Sequence, residues 1–155
     1  MDKICTYLKE APRPYHKVYE MGASIILNAT PWAFVDESFR KRHLSGADNG
    51  IDAMSSDNTI SYQMKCYTSS TITWKSVSTF VGLSMLLGAV PYIVCLPDTK
   101  IAKKLQGEIT NGYIHVIRIS YEEACESLHQ IGILNTPPLP SEQPSAPRQR
   151  CCIML

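Results

Sequence analysis

Residues 49–67 read NGIDAMSSDNTISYQMKCY, two short runs of alternating character around a polar cluster. Ser56, Asp57 and Asn58 are turn formers, because their short side chains bond to nearby backbone and tolerate left-handed conformations. The flanking runs IDAMS and TISYQMKCY therefore predict a β-hairpin. Successive side chains of a strand point to opposite faces, so Ile60, Tyr62, Met64 and Cys66 share one face, and Ser61, Gln63, Lys65 and Tyr67 the other. The first set is a core face, which makes Cys66 core material rather than a nucleophile. The second carries an amide and an ammonium two residues apart, and strand pairing brings Asp52 beside them. A carboxylate close to an amide oxygen suits a hard divalent cation such as Mg²⁺ or Mn²⁺; Mg²⁺ in particular takes few protein oxygens and keeps several waters. An ammonium next to that ion is placed to polarise a bound water or to balance charge building on a phosphate.

Upstream of the hairpin, residues 15–29 predict a helix with Val18, Met21, Ile25 and Ala29 on one face and Glu20 beside it. Residues 30–49 read as irregular, with a basic knot at Arg40, Lys41, Arg42 and His43. Downstream, residues 73–87 predict a helix ending at Gly88, and 91–96 a strand. Asp98 is the expected cap of a short helix through TKIAKKLQG, ending at Gly107. YIHVIRI (113–119) predicts a strand, and Ser120 with Glu123 forms a capping box opening a helix that Gly132 stops. Helices and strands in this order give an α/β fold with a central mixed sheet of four to five strands flanked by helices. Residues 1–14 are a lead-in, 15–134 the domain, and 135–155 a tail or linker in which five prolines fall between Pro137 and Pro147.

The chain has 155 residues, of which 45% are hydrophobic and 19% charged, enough for one core and too apolar for a disordered or collagen-like protein. With 15 basic and 14 acidic residues it lacks the global positive charge of an architectural nucleic-acid binder, although a local basic groove is compatible with that balance. The six cysteines contain no CxxC pair, which argues against a four-ligand zinc site. The N-terminus carries no secretory h-region, so the expected setting is an intracellular reducing compartment, cytoplasm or nucleus. Ser76–Pro97 is uncharged and long enough to span a bilayer, yet Gly82, Gly88 and Pro91 break it, and a buried helix feeding a buried strand accounts for it better.

The string Asn49-Gly50-Ile51-Asp52, the turn, then Tyr62-Gln63-Met64-Lys65-Cys66-Tyr67 and the helix Trp74…Phe80 resemble the PD-(D/E)XK nuclease superfamily, and within it the Mrr-like type IV restriction endonuclease branch. The likeness covers about residues 15–125. It implies a restriction-endonuclease-like core and a Mg²⁺- or Mn²⁺-dependent DNA endonuclease activity. Asp52 would be the central metal ligand, Gln63 would replace the more usual acidic ligand, Lys65 would be the catalytic lysine, and Glu20 the acidic residue of the first helix. The expected DNA contacts are Arg40, Lys41, Arg42, Ser69, Ser70 and Lys75, with Thr71, Lys103 and Lys104 as further phosphate neighbours. Family habit also implies a homodimer, and a helicase motor is a covalent partner of some similar domains.

Two other readings belong beside this one. A nuclease fold without activity would serve as a DNA-binding or assembly module. A small prenylated interaction protein is the other, since Cys152-Ile153-Met154-Leu155 matches a geranylgeranylation pattern with Arg148 and Arg150 nearby, which would give membrane attachment. Against the lipid stands the expectation that PRQRCCIML leads into a following domain.

Overall fold

The computed structural model describes residues 14–43 and 50–133. In chain order these form α1 (Pro14–Ile26), β1 (Ala29–Pro31), a single 3₁₀ turn (Trp32–Phe34), α2 (Glu37–His43), β2 (Ala53–Ser55), β3 (Ile60–Lys65), α3 (Trp74–Leu86), β4 (Val90–Cys95), α4 (Lys103–Thr110), β5 (His115–Arg118) and α5 (Tyr121–Gln130). The five strands make one mixed sheet in the order β1-β2-β3-β4-β5. β1, β2 and β3 are antiparallel neighbours, whereas β3, β4 and β5 run parallel.

The predicted hairpin forms, with Ala53 opposite Tyr62 and Met54 opposite Ser61. Its turn is held by Asp57, whose Oδ1 accepts from the Ser55 and Thr59 hydroxyls at 2.7 Å each and from the Thr59 amide at 3.1 Å. Those donors favour the carboxylate and pull its pKa from the ordinary 3.8 to about 2. A folded value below the unfolded one stabilises the turn fully above the ordinary Asp range and loses that effect as pH falls toward about 2. An NMR titration of the Asp57 carboxyl carbon is expected to show this low midpoint; a midpoint near the ordinary value would mean the three donors do not hold it.

Parallel strands need crossovers, and α3 and α4 supply them on the same face of the sheet, as right-handed connections between successive neighbours require. On that face Val77, Phe80 and Val81 of α3 and Leu105 of α4 bury against Ile51, Met54, Ile93 and Cys95. On the other face Tyr19 and Ala23 of α1 and Ala124 of α5 cover Ala53, Tyr62, Met64, Cys66 and Val94. The two faces of β3 foreseen from its alternation are thus both covered. Its polar face is buried too, and Ser61 satisfies its hydroxyl against Ser84 of α3 at 2.6 Å.

α1 and α5 come close because Gly22 lets them. A Cβ there would lie 2.2 Å from the Ala124 carbonyl oxygen. Around that contact the Ser127 hydroxyl donates to the Gly22 carbonyl at 2.9 Å, and Tyr15 stacks on Tyr121 with centroids 4.3 Å apart. The buried Tyr19 hydroxyl donates to the Ile119 carbonyl at 2.8 Å.

Several expectations are corrected here. The first helix ends at Ile26, so Ala29 belongs to β1; Met21 is buried, and Tyr19 and Ala23 are the residues of this helix that pack in the core on the sheet. The segment read as irregular contains both β1 and α2. Asp98 does not cap the fourth helix, which starts at Lys103 after Ala102 and continues through Gly107 to Thr110. An isolated parallel bridge between Ile72 and Ile101 keeps the preceding residues extended. The Ser120–Glu123 capping box forms as expected and starts α5. Ser76–Pro97 divides into α3 and β4, and no described helix is long and apolar enough to cross a membrane.

Candidate active site

Because β2 runs against its neighbours, its first residues lie at the same end of the sheet as the last residues of β1, β3 and β4. Ligand crevices of open α/β sheets form outside such carboxyl ends. Asp52 enters β2 there. Its amide donates to the Tyr62 carbonyl at 2.8 Å although Ala53 is the residue opposite Tyr62, so Asp52 is offset from the regular ladder. Its own carbonyl accepts from Trp32 N at 2.8 Å. The side chain then fills the place of a missing ladder acceptor: Oδ2 accepts from the Met64 amide at 2.6 Å. Met64 stands between Gln63 and Lys65, so the carboxylate is docked next to both.

Gln63 is 6% exposed and lies opposite the fully buried Ile93 of β4. Its amide is seated over Gly50, where an added Cβ would come 2.3 Å from Nε2. Gly50 has φ +86°, a left-handed conformation that a side chain would strain independently of the clash. The Oε1 of Gln63 is buried and has no hydrogen-bond partner among the described residues. A buried amide oxygen left this way is costly, and such groups in native proteins call for a ligand, an ion or a water.

Lys65 is half-buried, and its Nζ lies 5.6 Å from the centroid of the Tyr67 ring. Cys66, between them in sequence, is buried on the opposite face, as the alternation requires. The register thus sets the Asp52 carboxylate on the backbone of Met64, the residue between Gln63 and Lys65. Glu20 lies on α1, the helix over the Tyr62–Met64–Cys66 face, and its Oε2 accepts from Lys17 Nζ at 2.8 Å. Among the described residues no three His, Cys, Asp or Glu side chains gather in a metal-binding group.

The basic residues have a common placement that the sequence did not disclose. α2, which carries Arg40 along with Lys41 and Arg42, follows β1 at its carboxyl end. Lys75 is exposed in the first turn of α3, and Lys103 and Lys104 are exposed in the first turn of α4, both helices starting from loops at that same end. Ser69, Ser70 and Thr71 lie in the loop joining β3 to α3. Cys152 lies outside the described residues.

Two residues that sequence reasoning passed over brace this end of the sheet. Arg118 Nη1 donates to the carbonyls of Leu96 and Pro97 at 2.9 Å and of Thr99 at 3.0 Å. Thr99, 5% exposed, donates its hydroxyl to the Tyr67 carbonyl at 2.9 Å. No motif marks either one; both act on carbonyls remote in sequence.

A mixed five-stranded sheet layered by helices on both faces is consistent with a restriction-endonuclease-like core. Residues 29–131 match the family model described as restriction endonuclease, and the chain belongs to this family, in its Mrr-like branch. No curated protein and no solved structure matches it.

Proposed function

We propose that this domain hydrolyses DNA phosphodiesters with the help of a divalent cation, using Asp52, Gln63 and Lys65. The observation that carries this reading is the buried Oε1 of Gln63, without a hydrogen-bond partner among the described residues, next in sequence to the Met64 amide on which Asp52 is docked. An amide oxygen and a carboxylate are the hard donors Mg²⁺ or Mn²⁺ takes, so the residues present fit such an ion. When bound, the ion supplies Lewis acidity that lowers the pKa of a coordinated water and offsets phosphate charge.

The chain's own residues do the rest. Asp52 is fixed by the Met64 amide and by its backbone bonds to Trp32 and to Tyr62 of β3, so its carboxylate is held in place at this end of the sheet. Lys65 offers an ammonium to the non-bridging phosphate oxygens, whose charge grows as the water oxygen bonds to phosphorus, while the departing ester oxygen takes the electron pair of the P–O bond that breaks. Glu20 would add a second carboxylate on leaving Lys17. Arg40, Lys41, Arg42, Lys75, Lys103 and Lys104, with the hydroxyls of Ser69 and Ser70, would hold the DNA backbone at this end of the sheet.

A second reading, a nuclease fold that binds DNA without cutting it, is favoured by one observation: no group of three His, Cys, Asp or Glu side chains stands together among the described residues. A cleavage panel separates the two. Duplex, branched and modified DNA are incubated with the protein in Mg²⁺, Mn²⁺ or chelator, and binding is followed in parallel over a salt series. Hydrolysis of at least one substrate, abolished by chelator, is expected. Salt-sensitive binding with no product in either metal would replace the endonuclease by the binding module.

A further inference from the structure

Lys65 is a flexible side chain, and a catalytic ammonium must be held near its working position, since a misplacement of about 1 Å can cost about a hundredfold in rate. The ring of Tyr67 is suited to hold it. Tyr67 follows Lys65 by two residues, just past the end of β3, and its ring is partly buried against the core under α3. The Lys65 Nζ, 5.6 Å from the ring centroid, is within the range where an aromatic face attracts a cation. Tyr67 is itself tied down from a distant part of the chain. Its carbonyl accepts from the buried Thr99 hydroxyl, and the Thr99 carbonyl is one of the three that Arg118 gathers. A line of support thus runs from β5, through the loop after β4, to the end of β3.

The geometry points to Tyr67 as a positioning residue that holds the Lys65 ammonium on its ring face, with Thr99 fixing Tyr67 in turn. This rests on the proposed role of Lys65 in hydrolysis, but the placement can be read without any turnover.

In the full chain, the Lys65 Hε–Cε resonance, assigned by its disappearance in Lys65→Arg, reports ring proximity. It is expected upfield of the other lysines in the parent protein and in Tyr67→Phe. In Tyr67→Leu it should return to the ordinary lysine position, and in Thr99→Val it should move part of the way. In cleavage assays Tyr67→Leu should lower kcat by about 10- to 100-fold with KM unchanged, and Tyr67→Phe should stay within about threefold of the parent. A Lys65 resonance indifferent to Tyr67→Leu overturns the proposal. So does a kcat that survives loss of the ring shift. A ring shift that behaves as expected in a protein that cleaves no DNA upholds the placement and removes the hydrolytic role of Lys65.

Discussion

Asp52→Asn is expected to leave a folded, DNA-binding protein whose metal-dependent cleavage is lost. Asparagine keeps a side-chain oxygen where Asp52 Oδ2 accepts from Met64 N, and it keeps the backbone bonds to Trp32 and Tyr62. What goes is the negative charge docked on the Met64 amide, next in sequence to Gln63. Deleting a single preorganised electrostatic group costs about 10²–10³ in rate, and the loss here should lie at or beyond the upper end, because the same charge would also retain the ion. Asp52→Ala separates the two duties of the residue. It removes the charge and also strands the Met64 amide in the sheet, which adds a stability cost of about 1–3 kcal/mol. Cleavage rates measured beside urea unfolding curves check both statements. Parent-like cutting by Asp52→Asn would take Asp52 out of the chemistry.

Gly22→Ala should be among the most damaging single-methyl additions in the molecule. The new Cβ would meet the carbonyl oxygen, carbonyl carbon and Cα of Ala124 at 2.2, 2.6 and 2.8 Å, all backbone atoms that cannot rotate aside. α1 would have to withdraw from α5, opening the Ser127–Gly22 hydrogen bond and the Tyr15–Tyr121 stack. Overpacking of this kind costs about 3 kcal/mol or more when backbone must move. A lowered urea midpoint at unchanged m-value is the expected reading. Gly82→Ala is the control: it lies exposed within α3 with no atom within 4 Å of its would-be Cβ, and should stabilise by about 0.5–1 kcal/mol. Equal effects at the two positions would mean that α1 and α5 do not meet as closely as described.

What was legible before the structure was the chemistry of short range. The 56–59 turn, the alternation along Ile60–Cys66 and the Ser120–Glu123 box all depend on residues within a few positions of each other, and each forms as read. β1 was invisible because three residues ending in proline have no strand pattern of their own; Ala29–Pro31 is extended because β2 pairs with it. The fourth helix begins later than Asp98 suggests for the same kind of reason. Thr99 is committed to the Tyr67 carbonyl and Ile101 to Ile72, so the chain stays extended until Ala102.

The residues of the candidate site divide along the same line. Asp52, Gln63 and Lys65 could be picked from the sequence, because spacing two apart on a strand and a short hairpin bring them near by local geometry alone. Their condition could not. That Asp52 replaces a ladder acceptor, that Gly50 makes room for the Gln63 amide, and that Oε1 of Gln63 is buried without a partner among the described residues follow from how β2 enters beside β3 under α3. Likewise, basic residues scattered from Arg40 to Lys104 come to one end of the sheet only because β1, β3 and β4 point the same way, which is a property of strand order. Side-chain types and their periodicity are local and survive in the linear chain. Desolvation, satisfaction of polar atoms and convergence of distant charges depend on packing, and exist only once the sheet has closed between its two helical layers.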